Sequence, residues 1–167
     1  MSIKAGDRIP NGTLKHKTSD GVTDISTEQL FSGKKVVVFA VPGAFTPTCS
    51  AKHLPGFIAK AAEIRAKGVD TIACVSVNDA FVMNAWAKEH EIEKVKMIPD
   101  GSGEFTRDMD MIVFKPAQNF GLRSWRYAMI VNDMEIEQMI VEPGKNQQGL
   151  DDDPYEETKP EHILLKL

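Results

Sequence analysis

The chain has 167 residues, 42% hydrophobic and 26% charged, the composition of a single domain with a sizeable core. A net charge of −4 argues against nucleic acid or an anionic membrane as partner, since both want a basic face. Two cysteines in a domain of this size make neither a disulfide scaffold nor a Cys-x-x-Cys pair, which leaves packing or chemistry to explain them.

The first residues, Met-Ser-Ile-Lys-Ala-Gly-Asp-Arg, carry no apolar signal core or Arg-rich presequence, and no apolar run approaches the length of a membrane span. The expectation is a cytoplasmic protein, unless a presequence has been removed. After an extended start, Thr13 to Thr18, a turn at Ser19-Asp20-Gly21, and Val22 to Ile25 read as a surface hairpin. Ser26 with Gln29 signals a capping box for one short helical turn ending near Gly33. The β-branched run Lys35 to Val41 predicts a buried strand, stopped by Pro42-Gly43.

A helix is predicted from about Pro47 to Lys67, with Thr46 as N-cap, Pro47 at the first helical position and Gly68 as its stop. Pro55 inside it deletes one backbone bond, which predicts a kink that sets the first turn apart. Val69 to Val77 predicts a second strand, hence a parallel pair with a right-handed crossover. Asn78 or Asp79 caps a helix over Ala80 to Glu89, with Phe81, Val82, Ala85 and Trp86 as its apolar face. Val95 to Pro99 is a third strand, followed by a turn at Gly101-Ser102-Gly103 and a short helix to about Met109. Arg126 to Asn132 and Glu135 to Glu142 form an antiparallel hairpin. The acidic run Asp151 to Asp153 reads as a solvated loop. Thr158 with Glu161 reads as the capping box of a last helix, docked through Ile163, Leu164 and Leu167. Parallel strands at the front, a hairpin at the back and helices around them make a mixed α/β sandwich of the thioredoxin-like fold, with an N-terminal hairpin.

Cys49 falls in the first turn of the long helix, beside backbone N–H groups that lack intrahelical partners. Those donors and the helix dipole favour thiolate over thiol, so the placement predicts a reactive sulfur. The alternative is a small buried hydrophobe. Cys74 sits three residues before the end of the second strand, roughly 10 Å below the sheet edge at about 3.3 Å per residue. A disulfide from there to Cys49 would require the first helical turn to unwind or a strand to shift. Packing therefore stands slightly ahead of chemistry for Cys74. His53, one turn after Cys49, reads as a helix-packing or surface histidine. No metal-ligand spacing and no phosphate-binding loop is found, so no metal or bound cofactor is expected. Phe45, Phe81 and Phe120 read as core, or else as the lining of a pocket mouth or dimer seam.

Pro42, Thr46 and Cys49 match the Pro-x-x-x-Thr-x-x-Cys motif of peroxiredoxins. The fuller Val-Pro-Gly-Ala-Phe-Thr-Pro-Thr-Cys-Ser, with His53-Leu54-Pro55-Gly56-Phe57, resembles the peroxiredoxin-5, or plant type II, branch. The likeness continues through Cys74 to Met83 and Arg123 to Met129. It implies a peroxidase in which Cys49 reduces hydrogen peroxide or an alkyl hydroperoxide and becomes a sulfenic acid. By the same resemblance Thr46 orients thiolate and peroxide, accepting from one partner while donating to the sulfur or the substrate. Pro42 shields the sulfur, and Arg126 stabilises it, with Arg123 as the rival arginine. Cys74 matches the second cysteine of plant type II members and is a candidate resolving thiol. If it does not resolve, glutathione with glutaredoxin is the implied reductant, and thioredoxin the second. A homodimer meeting near the active-site loops is also implied. The rival readings are a thiol-disulfide exchange protein, though position 52 is Lys52 rather than cysteine, and a non-enzymatic redox sensor.

Overall fold

The computed structural model describes residues 3–18, 21–90 and 93–167, with 17 and 18 by backbone only. The β-branched run forms strand β3 (Lys35–Val41), central in a five-stranded sheet. Six of its seven side chains are buried because both sheet faces are covered, which explains a continuous apolar run in place of alternation. Strands β4 (Thr71–Ser76) and β5 (Lys96–Pro99) extend the sheet in parallel on one side. On the other side, β8 (Tyr127–Asn132) and β9 (Glu135–Val141) add an antiparallel hairpin, so the order is β5-β4-β3-β8-β9. Asp133 and Met134, both at positive φ, make the two-residue turn of that hairpin.

Val36, Val38 and Ala40 face one core layer, with Trp125, Tyr127 and Met129. Val37, Phe39 and Val41 face the other, which holds both cysteines under helices α2 (Leu54–Ala66), α3 (Ala80–Glu89) and α5 (Pro160–Lys166). The predicted N-terminal hairpin is present as β1 (Thr13–Thr18) and β2 (Gly21–Ser26); its turn at Ser19-Asp20 lies outside the described residues. Ser26 and Gln29 make the reciprocal capping box of α1 (Thr27–Phe31). After α4 (Glu104–Asp108) comes a second small hairpin, β6 (Ile112–Lys115) and β7 (Gly121–Ser124), which no sequence pattern announced.

Three expectations are corrected. The inward face of α3 is Ala80, Met83 and Trp86, at a spacing of three, while Phe81 is 68% exposed. The cap of α5 is Lys159 with Pro160 in the first turn; the Thr158 hydroxyl donates instead to the Glu142 carboxylate at 2.7 Å. The acidic segment is not a solvated loop, because the Asp151 carboxylate is buried against Lys115 Nζ at 2.8 Å. Its neighbour Asp153 reaches the site described next.

Candidate active site

Helical backbone begins at Pro47, as the Thr-Pro signal predicts, but its first full turn is a π turn over Cys49–His53. The Leu54 N–H bonds back to the Cys49 carbonyl, five residues away. Pro55, in the first turn of α2, has no N–H to offer a normal turn. The predicted kink therefore takes the form of one extra residue in the turn before it. Cys49 and His53, four apart and so on one side of the turn, both point inward with no exposed surface.

Arg126 lies at the threshold of β8, itself 1% exposed, and reaches this turn from across the sheet. Its Nη2 stands 3.6 Å from Cys49 Sγ and donates to Asp153 Oδ1 at 2.7 Å; its Nη1 donates to His53 Nδ1 at 2.7 Å. Burial opposes the charge on Arg126, but Cys49 and Asp153 outweigh that and hold its pKa above the ordinary guanidinium value. An arginine can only donate, so His53 Nδ1 must be the acceptor and the ring proton sits on Nε2. Arg123, the rival, turns elsewhere: it donates to the Phe120 carbonyl at 3.0 Å and to the Pro42 carbonyl at 3.2 Å. Gly43 permits that approach, since a Cβ there would collide with Arg123 Nη1. Of the two arginines, Arg126, which the resemblance puts first, is the one whose guanidinium contacts the sulfur.

Thr46 and Pro42 lie in the loop that leads from β3 into this turn, and the Ser50 N–H bonds the Thr46 carbonyl at 2.9 Å. The Thr46 hydroxyl donates to the Gly43 carbonyl at 2.6 Å, so its proton is committed to backbone and its lone pairs are free. That reverses the expected sense, in which the hydroxyl would donate to sulfur or peroxide. Asn78 Oδ1 accepts from the Ala44 N–H at 3.0 Å and the Ser76 hydroxyl at 2.6 Å, pinning the 42–46 loop to the end of β4. Phe45 takes a left-handed conformation in this loop, with φ of 66°, and is 49% exposed rather than core. Such conformations cost about 1–3 kcal/mol and concentrate at functional loops.

His53, expected as a helix-packing or surface histidine, packs in the core and also holds the arginine. Its ring centroid lies 4.8 Å from Phe39 and 4.7 Å from Tyr155. Burial, and then the Arg126 charge, push its pKa well below the usual histidine value. In the unfolded chain the ring takes a proton near pH 6.5, while in the folded protein it stays neutral. Below that pH the unfolded state binds more protons, so stability falls as pH falls. Urea unfolding should therefore show a loss of about 1.4 kcal/mol from this ring between pH 7.5 and 5.5, absent in His53→Gln. Parallel pH curves for the two proteins would refute it.

Cys74 stays apart. It lies in mid-strand opposite Phe39 of β3 and Met97 of β5, fully buried and unbridged. Burial, reinforced by the charge of Cys49, pushes its pKa well above the ordinary thiol value. Among the described residues no group of acidic, cysteine and histidine side chains has the arrangement of a metal site, and no helix is long and apolar enough to cross a membrane.

The Redoxin family model matches residues 4–158. A curated relative, Peroxiredoxin sll1621 of Synechocystis, is 51% identical over 82% of this chain and 77% of its own. The chain belongs to the peroxiredoxin family. Peroxiredoxin-2B of Arabidopsis thaliana is 46% identical over 85% of this chain and 89% of its own. Reduced Prx3 of Vibrio vulnificus, solved in complex with hydrogen peroxide, superposes with a TM-score of 0.89 at 44% identity, covering 98% of both chains. This peroxiredoxin has the family's thioredoxin-like fold and its activity: a thiol-dependent peroxidase that reduces peroxides in antioxidant defence with electrons from a thiol donor.

Proposed function

We propose that Cys49 is the peroxidatic residue and that Arg126, Thr46 and Pro42 complete its site. The observation that carries this reading is the buried contact between Arg126 Nη2 and Cys49 Sγ at 3.6 Å. The thiolate attacks one peroxide oxygen, the O–O bond breaks, and sulfur becomes a sulfenic acid while the second oxygen leaves and takes a proton. Arg126 offsets the charge on sulfur before attack and on the departing oxygen after it. The Thr46 lone pairs accept the peroxide O–H and so aim the reacting oxygen at sulfur. Pro42 has no N–H to compete for that hydroxyl, and its ring helps keep water off the sulfur. Because Cys49 has no exposed surface, peroxide gains access through motion of the 42–46 loop or of the π turn.

Cys74 is a core residue in this reading. A protonated, fully buried thiol in mid-strand is a poor nucleophile for the Cys49 sulfenic acid. An external thiol therefore condenses with the sulfenic acid, releasing water, and a second thiol exchanges to restore Cys49. Glutathione with glutaredoxin is the proposed donor and thioredoxin the second candidate, in a cytoplasmic protein of one domain. Exposed Phe45, Phe81, Phe114 and Leu122 suit a homodimer seam, which sedimentation equilibrium reads directly.

The test is turnover of Cys74→Ser with peroxide, glutathione and glutaredoxin. Largely intact turnover is expected, with some lost stability because a hydroxyl replaces a buried thiol. Loss of turnover in a protein that still folds and still forms the Cys49 sulfenic acid would make Cys74 the resolving thiol after all.

A further inference from the structure

The segment 151–158 is held at both ends by buried charge. At one end Lys115 Nζ, 2% exposed, bonds both Asp151 oxygens at 2.8 and 3.0 Å, and Asp151 Oδ1 accepts the Asp153 N–H at 2.8 Å. At the other, the carboxylate of Glu142, 1% exposed, accepts the backbone N–H groups of Glu156, Glu157 and Thr158 at 2.9–3.1 Å, together with the Thr158 hydroxyl. Releasing either end would leave a buried charge without its partner, so the segment is tied down at both anchors. What lies between the anchors is Asp153, at a φ of 48°, and Tyr155, whose ring centroid is 5.6 Å from Arg126 Cζ.

Asp153 Oδ1 takes one hydrogen of the same Arg126 nitrogen that approaches Cys49 Sγ. A guanidinium nitrogen carries two hydrogens in a fixed plane, so a 2.7 Å bond to one sets the direction of the other. His53 fixes Nη1 in the same way. The carboxylate also has a charge to contribute. When Cys49 is oxidised to a neutral sulfenic acid, Arg126 loses its sulfur counter-charge, and Asp153 keeps the buried cation paired throughout the cycle.

We propose that Asp153 is a positioning residue of the peroxidase, delivered by the tethered 151–158 segment to fix the Arg126 guanidinium against Cys49 and to keep the thiolate strongly nucleophilic. This rests on Cys49 being the peroxidatic residue. The groups around the sulfur are His53 from the π turn, Cys74 from β4, Arg123 from β7, Arg126 before β8, and Asp153 and Tyr155 from the segment. His53 titrates well below pH 6.5, Cys74 well above the ordinary thiol range, and Tyr155 is raised to about 12, first by burial and then by Glu161. Between pH 5 and 9 the arginines stay charged, so the Cys49 alkylation profile isolates the thiolate.

Asp153→Asn keeps the acceptor and removes the charge. Its alkylation midpoint should move to lower pH by about one unit. A less basic thiolate is a weaker nucleophile, so its peroxide rate constant at pH 8.5 should fall about threefold. Asp153→Glu should keep the wild-type midpoint, and the exposed neighbour variant Asp152→Asn should change neither quantity. A midpoint and rate for Asp153→Asn matching wild type, or the same shift in Asp152→Asn, would overturn the proposal while leaving Cys49 in place. Unaltered peroxide consumption by Cys49→Ser in the same assay would instead sink the reading it rests on. If Asp153→Asn fails to fold, Asp153→Ser, which also removes the charge, must show the lowered midpoint or the proposal is lost.

Discussion

Cys49→Ser should reduce peroxide consumption to the background of buffer and free thiol, a loss on the order of 1,000-fold or more. The substitution changes one atom in a fully buried position, so the fold has little to repack. What disappears is the ionisable sulfur. A serine hydroxyl beside Arg126 does not become an alkoxide at neutral pH, and it has no accessible higher oxidation state comparable to the sulfenic acid. The variant also isolates Cys74, the one remaining thiol of the chain. Burial holds that thiol protonated, so it should not take over. Stopped-flow mixing of the reduced variant with hydrogen peroxide, followed by loss of peroxide, decides the matter. Rapid consumption that survives the substitution would move the chemistry to Cys74 and overturn the assignment of the site.

The elements that position Cys49 were legible because their signals are local. A β-branched run, Pro-Gly, Thr-Pro and a glycine stop fix β3 and the long helix without help from the rest of the chain. Pro55 announced an irregular turn but not its kind. Whether a helix kinks or widens by one residue depends on what the inward side chains meet, here Arg126 from a strand 73 residues beyond His53. The same non-locality hid Asp151, Asp153 and Glu142. Three adjacent acids read as solvated until the partners Lys115 and Arg126 are brought alongside by the sheet. Thr158 departs from its expectation for a related reason: its spacing to Glu161 fits a capping box, but a buried carboxylate across the loop outcompetes a helix end for the hydroxyl. On α3, Phe81 and Met83 are both apolar and two residues apart, so the pattern allows either face inward, and packing against β5 and β1 chose Met83.

Arg126→Gln is expected to be nearly as damaging as loss of the sulfur, and for a different reason. The guanidinium makes three of the bonds that organise the site: to Cys49, to His53 and to Asp153. Glutamine can replace one of these and carries no charge. With the cation gone, Asp153 remains as an unopposed negative neighbour of the sulfur, so the alkylation midpoint of Cys49 should rise by about one to two pH units. At pH 7 that lowers the thiolate fraction. The charge developing on the departing oxygen also loses its donor, which by analogy with other oxyanion donors costs about 100- to 1,000-fold in rate. The two effects separate by pH: raising the pH restores the thiolate but not the transition-state donor, so a deficit should persist on the high-pH plateau. Arg123→Gln provides the comparison. Its side chain braces backbone carbonyls of Phe120 and Pro42 rather than the sulfur, so its rate should fall less and its midpoint should move less than those of Arg126→Gln. If Arg126→Gln keeps the wild-type midpoint and plateau while Arg123→Gln loses both, the positive charge that serves the thiolate is the one on β7, and the 3.6 Å contact in this structure is not the working one.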